Sequence, residues 1–258
     1  MISRLLIPTL LVLPLCAQAP TETQPVRFIL QADPPPAGTP ALDTAALSNA
    51  LQAFATSQHL ERPAPGGDGW VLGVRLATQP GPDGLLIATG TMRLSHLKNG
   101  QVEQAGAKED VAAAEARETP PLASAFGREL VRRAQLLLAQ AHVVPPPVPV
   151  TNHKTPVVIA EPGGPVLEMD FPKDSLTSTP PQLPYPRDAN GKRLQGNVVL
   201  EMTVNTLGVT ESVIPLQGPG PLLPYSMAWA MRLRFTPFEA NGKPIKARFP
   251  FRMNFRQQ

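Results

Sequence analysis

The clearest alternation of apolar and polar positions lies at the end of the chain. From Ile245 to Arg256, the residues Ile245, Ala247, Phe249, Phe251, Met253 and Phe255 alternate with Lys246, Arg248, Pro250, Arg252, Asn254 and Arg256. That period predicts a strand with one core face and one basic face. Asn197 to Asn205 alternates as well, with Val198, Leu200, Met202 and Val204 on one side and Val199, Glu201, Thr203 and Asn205 on the other. Leu207-Gly208 then turns the chain into a second strand, Val209 to Leu216, so a hairpin with one buried face is expected. Between hairpin and last strand, Pro221 to Leu233 lacks β-branched residues and places Leu222, Ser226, Trp229, Ala230 and Leu233 at helical spacing. Pro224 fits a helix there only in its first turn.

The first half carries a second set of elements. Ala41 to Thr56 reads as an amphipathic helix behind a Thr39-Pro40 start, with Leu47, Ala50, Leu51 and Phe54 on one face. Trp70 to Leu76 and Leu85 to Leu94 read as strands joined by the turn Pro80 to Gly84, and Asn99-Gly100 closes a further hairpin into Val102. The acidic residues from Glu109 to Glu118 read as a solvated loop. Pro120-Pro121 then opens a long helix whose stripe is Leu122, Phe126, Leu130, Ala134, Leu137, Leu138 and Ala141. Residues 41–142 are thus expected to form a small α-β-β-β-α domain of unassigned role, and the chain as a whole belongs to the α+β class.

Composition adds a connector and a delivery signal. Of the 33 prolines, 12 fall between Val143 and Pro186, which marks residues 143–180 as an extended linker between the first domain and a second one at 181–258. Residues 20–40 read as a polar lead-in. Met1 to Arg4, the apolar run Leu5 to Leu15 and the small residues around Ala17 and Ala19 read as a secretory signal peptide over residues 1–19. The run is shorter than the about 20 residues a spanning helix needs and is interrupted by Pro8 and Pro14, so a cleaved signal is preferred to an inner-membrane anchor. Cys16 is the only cysteine, and Leu13-Pro14-Leu15-Cys16 departs from a lipid-attachment motif because Leu15 precedes the cysteine. The expected location is therefore the periplasm.

Little in the chain points to catalysis. The four histidines, His59, His96, His142 and His153, have no second ligand type at metal-site spacing. No nucleophile elbow, phosphate loop or His-Glu-x-x-His motif occurs. The expectation is a protein that is not an enzyme and carries no cofactor or metal. The repeated Ala-Asn-Gly-Lys at 189–192 and 240–243 reads as two independent turns. The net charge of +3 and the basic face of the last strand, in an exported protein, favour an envelope partner over nucleic acid.

The C-terminal residues resemble the TonB family, the periplasmic proteins that pass inner-membrane energy to outer-membrane transporters. The resemblance covers 181–258 and rests on Tyr185-Pro186 followed by Ala189, Gly196-Asn197-Val198, Val204-Asn205-x-x-Gly208, Phe235-x-Pro237, Gly242-Lys243-Pro244 and the aromatic last strand. It departs at Leu222-Leu223-Pro224-Tyr225, where the family has an acidic helix start. It implies a hairpin, a helix and a last strand that captures an extended segment of an outer-membrane receptor by strand addition. The residues implied in partner binding are Gln182, ahead of Tyr185-Pro186, and Lys246, Arg248, Arg252, Asn254 and Arg256 on the last strand. The same strand allows a weak homodimer. A binding module linked to TonB-dependent transport is the preferred function; a true energy transducer held by an uncleaved N-terminus is the alternative.

Overall fold

The computed structural model describes residues 25–62, 67–147, 155–161, 164–180 and 185–256, without the side chains of 104–108. The signal-peptide reading and Gln182 lie outside the described residues. The chain is mixed α+β. In order, it contains β1 (Val26–Ala32), α1 (Thr44–Ser57), β2 (Gly69–Pro80), β3 (Leu86–Lys98), β4 (Gln101–Ala116), α2 (Thr119–Gln140), β5 (Val157–Ile159), β6 (Val166–Glu168), β7 (Leu176–Ser178), β8 (Gly196–Val204), β9 (Thr210–Gln217), α3 (Leu223–Ala230), β10 (Arg234–Phe235), β11 (Phe238–Ala240) and β12 (Lys243–Phe255).

One sheet runs through both halves in the order β1-β2-β3-β4-β9-β8-β12-β6-β5, and β11 pairs with β12 beside it. The joint between the halves is short: Glu115 pairs with Val213 and Ala116 with Ser212, antiparallel. Helices cover the two halves on opposite faces. Leu72, Val74, Leu76, Ala112, Ala114 and Ala116 pack under Leu122, Phe126, Leu130 and Leu138 of α2, and Leu47, Leu51 and Phe54 of α1 close the same core. On the other face, Leu200, Met202, Val204, Phe249 and Phe251 pack against Met227 and Ala230 of α3. Strand β9 serves both cores, because Ile214 belongs to the α2 side and its neighbour Val213 to the α3 side. A strand exposes successive side chains to opposite faces, so a single strand can tie two cores together.

Four elements differ from the sequence reading. The lead-in contains β1, parallel to β2 from Val26↔Trp70 to Ala32↔Leu76. Its flanking prolines, Pro25 and Pro34, bound the strand rather than exclude it. The acidic stretch is part of β4 and not a loop. Its core face consists of Ala112, Ala114 and Ala116, each 0% exposed, and alanines give a strand pattern little contrast. The C-terminal helix is shorter than expected: a 3-10 turn at Gly220–Leu222 leads into α3, Pro224 lies in its first turn, and the helix stops at Ala230. The proline-rich segment is drawn into the fold as well. Within it, β6 adds parallel to β12, β5 pairs with β6, and β7 pairs with β10.

Tight turns and a buried ion cluster fix the geometry. At the β8–β9 hairpin, a Cβ on Gly208 would stand 2.0 Å from the Phe235 carbonyl oxygen, and its φ of 77° favours glycine. The second Asn-Gly, Asn241-Gly242, has both residues at positive φ, as a two-residue hairpin between β11 and β12 requires. On α2, Glu129 is completely buried and accepts hydrogen bonds from Arg132 (2.7 Å) and Arg133 (2.6 Å). Arg132 also donates to the Pro215 carbonyl at 3.1 Å, fastening α2 to β9.

Glu115 sits at the joint on the α3 side of the sheet, 4% exposed, and its Oε2 has no hydrogen-bond partner among the described residues. Burial pushes its carboxyl up from 4.5 to about 7. An acid whose folded pKa is raised holds its proton longer in the folded state, so stability falls as pH climbs from about 4.5 through about 7 and is flat above. The full difference is on the order of 3 kcal/mol. Urea denaturation at pH 5 and pH 8 is expected to show Glu115→Gln gaining stability over wild type at pH 8 and little or none at pH 5; an equal effect at both pH values would contradict this.

Candidate functional site

The last strand carries the site that the sequence singles out, and its two faces behave differently. On the core face, Phe249 meets Phe235 at 5.2 Å and Phe171 at 5.8 Å between ring centroids, and Trp229 stacks on Phe251 at 5.9 Å. Phe255 is held edge-on by Tyr185 and Tyr225 at 5.8 and 5.7 Å. These contacts immobilise the strand from Phe249 to Phe255. A rigid strand is what an edge needs if it is to template another.

On the polar face the basic row divides. Lys246 donates to Glu211 at 2.8 Å. Arg248 is 7% exposed and is clasped by carboxylates: Nη2 donates to Glu161 at 2.6 Å, Nη1 donates to Glu168 at 3.0 Å, and Nε lies 3.7 Å from Glu201. Burial works against its charge, but Glu201, Glu161 and Glu168 together hold its pKa above the ordinary value. Glu201 in turn accepts from Arg128 of α2 at 3.1 Å, so the network reaches the first half of the chain. Arg252, Asn254 and Arg256 are exposed. Arg256 donates to the Asn254 side chain at 3.2 Å.

The edges of β12 differ in the same way. Along one edge it pairs with β8 from Ala247↔Val204 to Phe255↔Gly196 without a register shift. Along the other, β6 covers only Lys246 to Arg248, and the Met169 N–H donates to the Arg248 carbonyl at 3.1 Å. Backbone groups of alternate residues point to the same edge, so those of Pro250, Arg252 and Asn254 also face outward. Pro250 therefore removes no bond from the ladder with β8. Among the described residues, nothing pairs with this outer rail from Pro250 to Asn254.

Sequence reasoning grouped Lys246 and Arg248 with the exposed residues, whereas the fold spends both on internal ion pairs. It missed the carboxylates Glu161 and Glu168, which lie in the proline-rich stretch. The available signal was the apolar run Val166-Leu167 beside Glu168 and Met169, bounded by Pro165 and Pro172. The polar cleft beside Arg248, about 290 Å³, is lined by Arg128, Lys246 and Arg248 against Glu161 and Glu211. Its charges are already compensated. Among the described residues, no group of three or more His, Cys, Asp or Glu side chains is placed to hold a metal ion.

With this geometry in view, residues 181–256 match the family model of the Gram-negative bacterial TonB protein C-terminal. This part of the chain is assigned to the TonB C-terminal family. Its hairpin, helix and last strand are β8, β9, α3 and β12. No curated protein matches the chain at significant similarity. Among solved structures, a minor lipoprotein from Acinetobacter baumannii is similar at 19% identity and a TM-score of 0.29, over 50% of this chain and 100% of that chain. No described helix is long and apolar enough to cross a membrane.

The buried guanidinium makes a direct prediction. Removing Arg248 takes away the guanidinium that Glu161, Glu168 and Glu201 share, leaving Glu201 its bond from Arg128, and breaking such a buried cluster typically costs about 3–5 kcal/mol. Arg248→Met is expected to lower stability to urea by that order and to open the segment around Glu161 to protease. A loss under about 1 kcal/mol would mean that the clasp contributes no more than a surface ion pair.

Proposed function

We propose that the protein is a non-enzymatic component of the cell envelope whose TonB-like domain binds an extended segment of an envelope protein by strand addition, in connection with TonB-dependent transport across the outer membrane. The observation that carries this reading is the rail from Pro250 to Asn254, rigidly backed by the aromatic core and paired with no described residue. An unpaired rail offers main-chain donors and acceptors to an incoming strand, and the neighbouring side chains select it. Arg252, Asn254 and Arg256 stand beside the rail, whereas Lys246 and Arg248 hold the sheet together behind it.

The joined sheet supports a role for the first half as a brace. Strand β4 pairs with β9, α2 is bonded to Pro215 and Glu201, and Arg232 pairs with Asp83. A pull on a strand added at β12 would be carried through β8 and β9 into the first half.

A photo-crosslinker at position 252, in cells, tests the reading. Capture of an outer-membrane protein through an extended periplasmic segment is expected. Asn254→Pro, which deletes an outward N–H without touching the apolar face, is expected to abolish that capture while the circular dichroism stays unchanged. Arg252→Ala is expected to weaken it modestly and in a salt-dependent way. Undiminished capture by folded Asn254→Pro would exclude strand addition on this rail.

A further inference from the structure

The open rail is short. Arg252 and Asn254 each offer an N–H and a carbonyl, Pro250 offers a carbonyl alone, and the Arg256 carbonyl lies 3.3 Å from the Tyr185 hydroxyl, which has the Leu194 carbonyl nearer at 2.9 Å. So few main-chain bonds do not outweigh the freedom a free peptide loses on docking. Affinity has to come from elsewhere along the same edge.

Cations gather at the end of that rail. The Arg193 guanidinium lies 5.3 Å over the Tyr185 ring, and that ring packs on Phe255. Arg187 is bridged to Arg193 through the backbone and donates to the Gly191 carbonyl at 2.6 Å. Arg252 and Arg256 project from the opposite face of β12 to Phe255, so guanidinium groups flank the strand end on both faces. Among the described residues, none of these four arginines has a carboxylate within ion-pair distance. The neighbouring acid, Asp188, is taken up by the backbone N–H groups of Asn190 and Lys192. The contrast with Arg248 is informative: where the fold uses a cation of this strand for itself, it supplies carboxylates from its own chain.

We propose that the partner of this edge is an acidic extended peptide, one whose β-pairing run is flanked by aspartate or glutamate that meets Arg187, Arg193, Arg252 and Arg256. The proposal rests on the strand-addition reading and specifies the chemistry of the occupant. Planar guanidinium groups suit carboxylates, and their placement at the end of an unpaired rail lets one ligand satisfy both features. A lipid headgroup layer would use the charges and leave the outward N–H groups of Arg252 and Asn254 without a role, so a peptide is favoured over a membrane surface.

The test uses the full chain and labelled synthetic peptides sharing one alternating valine-threonine run, flanked by aspartate, asparagine or lysine, with anionic-lipid vesicles as a further probe. By fluorescence anisotropy, the aspartate peptide is expected to bind about tenfold more tightly than the asparagine peptide, with the lysine peptide weakest and the preference fading at high salt. In Arg193→Gln/Arg256→Gln the preference is expected to vanish while the residual binding of the neutral peptide persists, and Asn254→Pro is expected to lose both peptides. Equal binding of acidic and neutral peptides overturns the acidic specificity and leaves strand addition standing. Unchanged binding of the aspartate peptide to folded Asn254→Pro overturns strand addition itself. Binding of no peptide overturns the proposal, and binding of vesicles alone, dependent on Arg193 and Arg256, would replace it with a membrane surface.

Discussion

A guanidinium cannot be buried without carboxylates to meet it, and in this chain that constraint falls on Arg248. Isolated in a low-dielectric site it would cost several kcal/mol. Two of its three carboxylate neighbours, Glu161 and Glu168, lie in the proline-rich segment far from it in sequence, so satisfying Arg248 folds that segment back onto the edge of the last strand. Val166 is then buried, Met169 bonds to the Arg248 carbonyl, and Phe171 enters the cluster of Phe235, Phe249 and Phe251. What begins as charge compensation ends as a strand, β6, and as the limit of the open rail.

The same network explains how two compact units become one sheet. Glu201 lies between Arg248 and Arg128, and α2 is further tied to β9 through Arg132 and Pro215. Two residue pairs between β4 and β9 would be a slight joint on their own. Covered by α2 on one side and carrying Val213 into the α3 core on the other, they become a shared element of both hydrophobic clusters. Glu115 at this joint is a carboxyl whose Oε2 has no hydrogen-bond partner among the described residues.

The elements with strong contrast were legible in the sequence. The alternation of β12 and β8, the stripe of α2 and the turn at Gly208 each leave one dominant reading, and the same residues carry the TonB resemblance. Three features were not legible, for separate physical reasons. In β4 the core residues are alanines, whose pattern among acids resembles a solvated loop. Strand β1 exposes Ile29 at 49%, which blurs its alternation. In β6 three residues suffice because tertiary charge pairing holds them, and no local period can announce that. The basic row of β12 was visible, but its division into Lys246 and Arg248, turned inward, and Arg252 and Arg256, left exposed, depends on carboxylates supplied from distant positions.

The last strand is bonded along one edge and, among the described residues, open along part of the other, and residue-resolved amide hydrogen exchange on the isolated protein distinguishes the two edges. Phe251 and Met253, whose N–H groups point to β8, are expected to be strongly protected, as is Met169 on the Arg248 carbonyl, while the amides of Arg252 and Asn254 exchange near the rate of a free chain. Slow exchange at Arg252 and Asn254 equal to that of Phe251 and Met253 would show that the outer rail is already paired and has no place for an added strand.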